Sequence, residues 1–306
     1  MKEVRLGGII PAIVTPMTSD FNVDEETLLD YVKWIAGRKL GGLAINVDSS
    51  EGPHLYREER SKIVELVAEA VGGKLPIIAG LAARFTQEAV EQAVELKEAG
   101  ADALLVFPIP AFCGSPLPAE IPCRYHETIG VKANIALILF QLEQALGGVE
   151  YPPEVLLELT KIKQVIAIKE SLEDSAKFVA TARVLRSAAR KITLLSGNDT
   201  FILEAFLLGA EGALIGFATL ATDLQVEMFE LVQKKKYDEA KEIAERLQPL
   251  VNVIFAPPAR NYRARTKEAL VMLGVLKHAY VRPPLVPISD AERTQLRKAL
   301  KKAEVL

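Results

Sequence analysis

Val165-Ile166-Ala167-Ile168-Lys169-Glu170 is a four-residue apolar run closed by a lone amine. Four successive apolar positions without polar alternation suit a parallel strand covered on both faces. Seven further runs share that character: Gly8 to Val14, Leu43 to Val47, Pro76 to Ala79, Ala103 to Phe107, Ile135 to Phe140, Ile192 to Leu195 and Ala213 to Phe217. Segments with helical periodicity lie between them. In Glu59 to Val71 the apolar residues recur at three- and four-residue spacings until Gly72-Gly73 stops the helix. Thr86 to Ala99 repeats the pattern, with Thr86 placed to cap the first turn and Gly100 to close the end. Glu154 to Thr160 and Ser175 to Ala189 behave likewise. Eight strands alternating with helices predict an α/β fold, a (β/α)8 TIM barrel, over residues 1–236. After the eighth run the chain reads as helix throughout: Leu224 to Gln233, Tyr237 to Phe255, Thr266 to Leu276 and Asp290 to Lys302. That is more helix than one barrel layer holds, so residues 237–306 are expected to form a C-terminal helical extension.

Composition narrows the function. The 306 residues carry 37 Lys+Arg against 40 Asp+Glu, a formal net charge of −3, with half the chain apolar. Without a Lys/Arg-dense stripe, a dedicated nucleic-acid binder is disfavoured, because its affinity would rest on neutralising phosphates. Lys234-Lys235-Lys236 reads as a solvated helix end. Cys113 and Cys123 suggest neither a disulfide framework nor a thiolate metal site. His54, His126 and His278 show no metal-ligand spacing, so no metal is expected, and no cofactor is expected where a lysine amine can itself supply the electrophile. The apolar run before Pro11 is too short for a signal h-region, and no stretch reaches about 18 uninterrupted apolar residues. A cytoplasmic protein with no membrane partner is the expectation.

A barrel of this kind places its chemistry at the C-terminal strand ends. There the sequence offers Asp48-Ser49-Ser50-Glu51, Lys169-Glu170 and Ser196-Gly197-Asn198-Asp199. Burial lowers a lysine's pKa and leaves neutral amine able to attack a carbonyl. The competing reading of Lys169 is a lysine that leaves the strand and pairs with Glu170. The 48–51 turn, with its hydroxyls and backbone N–H groups, could hold a substrate carboxylate, or simply make local turn bonds. Gly197-Asn198-Asp199 is open to the same two readings, a turn with an N-cap or a ligand contact.

These residues resemble the dihydrodipicolinate synthase and N-acetylneuraminate lyase superfamily of Schiff-base-forming class I aldolases. The resemblance rests on Gly8-Ile9-Ile10-Pro11-Ala12-Ile13-Val14-Thr15-Pro16, Ser50-Glu51-Gly52, Gly80 and Val165 to Glu170. It continues through Leu195-Ser196-Gly197-Asn198-Asp199, Gly209-Ala210-Glu211-Gly212 and the Lys267 to Gly274 segment. It implies that Lys169 is the Schiff-base lysine and that a 2-oxo acid such as pyruvate is a substrate or product part. It also implies a homo-oligomer, a dimer or tetramer. Ser49, Ser50, Phe140, Gly197 and Ile215 are the substrate-binding residues this implies, with Glu51 a structural residue buried under the turn and bonding its backbone.

The departures bear on the reaction. Where the family's turn carries paired hydroxyls followed by glycine, this chain reads Asp48-Ser49-Ser50. Where strand five ends in a proton-shuttling tyrosine, it reads Leu139-Phe140-Gln141-Leu142. The tyrosine after strand four is replaced within Phe107-Pro108-Ile109-Pro110-Ala111, and the arginine that takes the second substrate would fall near Ala145. The lysine-pathway synthase reaction is therefore not the expectation. The preferred reading is a lyase, aldolase or dehydratase, acting on a 2-oxo acid and an aldehyde partner. In it Asp48, kept protonatable by apolar neighbours such as Phe140, replaces the tyrosine as acid/base. The alternatives are a non-catalytic 2-oxo-acid-binding paralogue, or a true dihydrodipicolinate synthase with an altered proton relay. Ile109, Phe112 and Leu117 make the Pro110 to Pro122 loop less polar than a sugar-acid site would suggest.

Overall fold

A computed structural model describes residues 2–306, apart from the side chain of Ala145. The position expected for the second-substrate arginine therefore lies outside the described residues. All eight apolar runs form parallel strands: β1 (Gly8–Pro11), β2 (Leu43–Ile45), β3 (Ile77–Leu81), β4 (Ala103–Val106), β5 (Ala136–Leu142), β6 (Val165–Ser171), β7 (Thr193–Ser196) and β8 (Gly212–Ile215). Their ladder order is β1-β8-β7-β6-β5-β4-β3-β2. Between β1 and β2 the ring closes through a parallel bridge from Ala12 to Ala44, where the Ile13 N–H donates to the Ala44 carbonyl at 3.0 Å.

The helices between and after the strands are α1 (Glu25–Ala36), α2 (Arg57–Val71), α3 (Thr86–Glu98), α4 (Glu120–Ala133), α5 (Pro153–Leu159), α6 (Ser175–Ser187), α7 (Ile202–Leu207) and α8 (Thr222–Gln233). The protein is thus a (β/α)8 barrel, as the alternation predicts. Successive strand residues point to opposite faces. One set, including Ile10, Ala44, Ile78, Leu105, Ile138, Ala167 and Leu214, fills the barrel interior. The other, including Ile9, Ile45, Leu104, Leu137, Ile168 and Ile215, packs beneath the helices.

Strands β5 and β6 run past their apolar stretches to Leu142 and Ser171. Their ladder takes in Gln141 and Glu170, which are fully buried polar residues that an apolar criterion excludes. Helix α2 ends as expected, with Gly72 in the left-handed region at φ 59°. Helix α3 does not start as expected. Phe85 is its N-cap and Thr86 already lies inside, while the Glu88 carboxylate accepts from the Arg84 N–H at 2.7 Å just ahead of the helix.

Three helices follow the barrel: α9 (Tyr237–Ile254), α10 (Tyr262–Met272) and α11 (Asp290–Lys302). Helix α9 packs along α8 and α11. Helix α10 begins four residues before the predicted start at Thr266. Its polar first turn is anchored from outside, since Arg265 Nη1 donates to the Ile254 carbonyl at 3.0 Å and Arg265 pairs with Glu292. This shift brings Tyr262 and Arg263 over the C-terminal strand ends. Among the described residues no helix is long and apolar enough to cross a membrane.

Candidate active site

A cavity of about 360 Å³ opens at the C-terminal ends of the strands. Lys169 sits in its floor. The β5–β6–β7 register places it between Phe140 and Leu195, and only 7 % of it is exposed. Its Nζ lies 4.4 Å from the Phe140 ring centroid and has no hydrogen bond or ion pair among the described residues. Burial lowers its pKa, opposed by the charges of Asp199, Asp48 and Glu173 in that order.

Glu170 does not pair with Lys169. As the next residue of the strand it points to the opposite face, where Oε2 accepts from Asn198 Nδ2 at 2.6 Å. Burial pushes the Glu170 carboxyl up to about 7. Gly197 is required by close approach. A Cβ there would stand 2.4 Å from Lys169 Cε and 2.3 Å from Ser171 Oγ. Gly197-Asn198-Asp199 also does not cap α7, whose N-cap is Phe201. Buried Asn198 ties strand ends together instead, accepting the Glu173 N–H at 2.8 Å and donating to the Glu170 carbonyl at 3.0 Å.

Asp199 lines the cavity. Its Oδ1 accepts the Phe217 N–H at 2.8 Å, and Oδ2 has no partner among the described residues. Burial is the main cause that raises its carboxyl to about 7. Glu173, hydrogen-bonded to Thr200, is raised by burial as well.

The turn after β2 forms the opposite wall. Ser49 Oγ donates to the Ala12 carbonyl at 2.8 Å and Ser50 Oγ to the Ile13 carbonyl at 2.6 Å. Neither the Ser49 nor the Ser50 backbone N–H donates to a protein acceptor among the described residues. The hydroxyl of Ser50 is turned away into the strands, and Ser50 does not line the cavity. Ile215, expected to contact substrate, does not line it either. Its side chain faces the helix layer, and Gly216 takes its place at the wall.

Asp48 is surrounded differently from the apolar setting expected for it. Oδ1 pairs with Arg263 Nη2 at 2.5 Å, Oδ2 accepts from Tyr262 Oη at 2.7 Å, and its carbonyl accepts from Arg263 Nε at 2.7 Å. These partners lie 214 and 215 residues away. Burial raises the Tyr262 phenol well above its ordinary range, keeping it a donor.

Glu51 is fully buried, but its bonds leave its own turn. It pairs with Lys267 and accepts the Arg282 N–H at 2.9 Å, while Lys267 Nζ also donates to the Tyr280 carbonyl at 2.7 Å. Helix α10 and the segment after it therefore clamp the turn from both ends. Phe140 is fully buried, packs edge-on against Phe107 with centroids 5.2 Å apart, and supplies the apolar floor.

The Pro110 to Pro122 loop does not touch this cavity. Phe112 and Leu117 line a separate one of about 530 Å³ with Val149 and Tyr151. The Lys169 cavity is also lined by Glu143, Glu173, Thr200 and Arg260, interspersed with Leu142, Leu146 and Phe255. Sequence reasoning missed Tyr262 and Arg263. They follow Pro257-Pro258, which reads as a connection, and the only local sign was an arginine-rich stretch on an otherwise ordinary helix start.

The site can thus present a buried, unpaired amine in one cavity with a free backbone donor at Ser49 and several carboxylates. Comparison with known proteins agrees with the architecture. The model of the dihydrodipicolinate synthetase family matches residues 5–303. A 4-hydroxy-tetrahydrodipicolinate synthase of Archaeoglobus fulgidus is 30% identical over 302 residues, 98% of this chain and 99% of that one. A DapA-like lyase of Thermofilum pendens is 28% identical over 286 residues, 93% of each chain. The chloride-inhibited dihydrodipicolinate synthase of Acinetobacter baumannii, solved in complex with pyruvate, superposes with a TM-score of 0.85 at 28% identity, covering 98% of this chain and 99% of that one. A match this complete, on a barrel whose sixth strand delivers a buried lysine, makes this chain a member of the dihydrodipicolinate synthetase family.

Proposed function

We propose that the protein is a Schiff-base-forming lyase of aldolase or dehydratase type, acting on a 2-oxo acid through Lys169. The observation that carries this reading is the Lys169 amine, buried in the cavity floor without a partner and lowered in pKa by that burial. A neutral amine attacks the ketone carbon, water leaves, and the iminium becomes an electron sink for C–C cleavage, condensation or loss of a β-leaving group. The free Ser49 N–H, on a residue that lines the cavity, suits the acid's carboxylate. The burial of the amine above Phe140 desolvates it, which favours the uncharged nucleophile.

Phe140 has no hydroxyl to shuttle protons, which disfavours the lysine-pathway synthase reaction. Asp48, the acid/base that the sequence suggests, has both oxygens engaged by Arg263 and Tyr262, which leaves neither free to take a proton from substrate. Glu143, Thr200 and Arg260 on the cavity lining suit a hydroxylated or charged aldehyde partner. The homo-oligomer, dimer or tetramer, rests on the family resemblance, and sedimentation would read it.

The test is reductive trapping. Borohydride with a panel of 2-oxo acids, pyruvate included, should leave one adduct per chain on the peptide containing Lys169, and Lys169→Ala should abolish it. No adduct with any member of the panel would favour the non-catalytic paralogue.

A further inference from the structure

Imine chemistry needs a group that takes and returns protons at the carbon next to the imine, and two carboxylates compete for that role. Asp48 has both oxygens committed, one to a guanidinium and one to a phenol. Asp199 has one oxygen fixed by the Phe217 N–H and the other free at the cavity wall. Of the carboxylates whose charge reaches the Lys169 amine, Asp199 acts most strongly. Its backbone follows Gly197, whose missing side chain lets that loop lie directly against the Lys169 methylenes.

Resting on the imine-forming role of Lys169, we propose that Asp199 is the catalytic acid/base, and that Tyr262 and Arg263 hold Asp48 as a fixed positioning residue. Asp199 Oδ2 removes a C3 proton from the 2-oxo acid iminium. The C–H electrons form the C2–C3 double bond, the C=N electrons return to nitrogen, and a neutral enamine faces a protonated Asp199. The reverse transfer protonates the enamine carbon after cleavage.

A carboxyl lifted to about 7 divides its time between base and acid near neutral pH, the condition for both half-reactions. The groups facing it are Lys169 and Glu173 from β6 and its loop, Asp48 after β2, Glu143 after β5, and Tyr262 and Arg263 of α10.

The experiment follows C3 hydrogen–deuterium exchange of pyruvate by NMR at saturating pyruvate, so that weaker binding does not lower the rate, with the rate of borohydride trapping read alongside for imine formation. Asp199→Asn keeps the acceptor for the Phe217 N–H, so it should fold and still give the borohydride adduct. Its exchange should fall at least about 100-fold, and the rise of the wild-type rate through a midpoint near 7 should vanish. Asp48→Asn should lose less than about tenfold and keep that midpoint. Exchange in Asp199→Asn within about threefold of wild type, or a larger loss in Asp48→Asn, overturns the assignment while the adduct still upholds the imine. A wild type that forms no adduct overturns the imine reading, and this inference with it. If Asp199→Asn fails to fold, Asp199→Glu and the wild-type profile decide. A flat wild-type profile between about pH 6 and 8 refutes the assignment, and a displaced midpoint in Asp199→Glu supports it.

Discussion

Replacing Glu51 with Gln removes a charge and little else. The amide keeps a carbonyl for the Arg282 N–H, but Lys267 is left with the Tyr280 carbonyl as its remaining partner. Both Glu51 and Lys267 are fully buried, so the orphaned ammonium cannot turn to solvent. Breaking such a pair by removing one partner costs about 3–5 kcal/mol. Unfolding entropy of about 2 cal/mol/K per residue over 306 residues converts this into a Tm lowered by roughly 5–8 °C. Because Glu51 ends the turn that carries Asp48 and Ser49, the variant should also bind 2-oxo acids more weakly. Calorimetry of the wild type, Glu51→Gln, Lys267→Met and the double variant measures this. The double variant should lose less than the sum of the singles, since neither charge is then left alone. Single variants within about 1 kcal/mol of wild type, or a strictly additive double variant, would refute the claim that this pair clamps the turn.

Gly197→Ala should leave a folded protein that traps little 2-oxo acid. The added methyl displaces the flexible end of Lys169, so stability falls by about 1–3 kcal/mol while adduct yield drops at least about tenfold. Arg263→Met should raise KM for the 2-oxo acid about tenfold with a smaller change in kcat, because an unneutralised Asp48 then repels the substrate carboxylate beside it. Unchanged KM would show that the ion pair does not shape binding. The pH dependence of stability gives a further check. Glu170 is raised from 4.5 to about 7, so it binds its proton more tightly folded than unfolded. Its contribution to stability is full below the unfolded value and is lost as pH rises toward 7. Urea unfolding should therefore show Glu170→Gln gaining on wild type by about 2 kcal/mol between pH 5 and pH 8. A constant difference would contradict the shift.

What was legible in the sequence follows the range of the interactions. Strand runs and helix stripes are local, so all eight strands were visible, with ends shifted by a few residues. Lys169 stood out because four apolar neighbours place it on the ladder without ambiguity. Gly197, read as a turn or a ligand contact, packs directly on Lys169, a close approach that residue type alone does not reveal. Ser50 and Ile215 were misplaced by a face. One hydroxyl turns to the Ile13 carbonyl, and the other side chain points out to the helices, and neither orientation is written in residue type. Tyr262 and Arg263 were illegible because their partner is Asp48, more than 200 residues away, and only the folded C-terminal helices bring them together. The same holds for Glu51, which is buried as expected but bonds Lys267 and the Arg282 N–H rather than its own turn.

The central claim is a covalent bond from Lys169 to a 2-oxo acid, and a crystal structure of the protein soaked with the acid that traps best tests it most directly. The account predicts continuous density from Lys169 Nζ to C2 of the acid, with the carboxylate on the Ser49 N–H and Asp199 Oδ2 facing C3. A free lysine beside an intact ketone, or a carboxylate bound on Arg260 with C2 out of reach of Lys169, would contradict it.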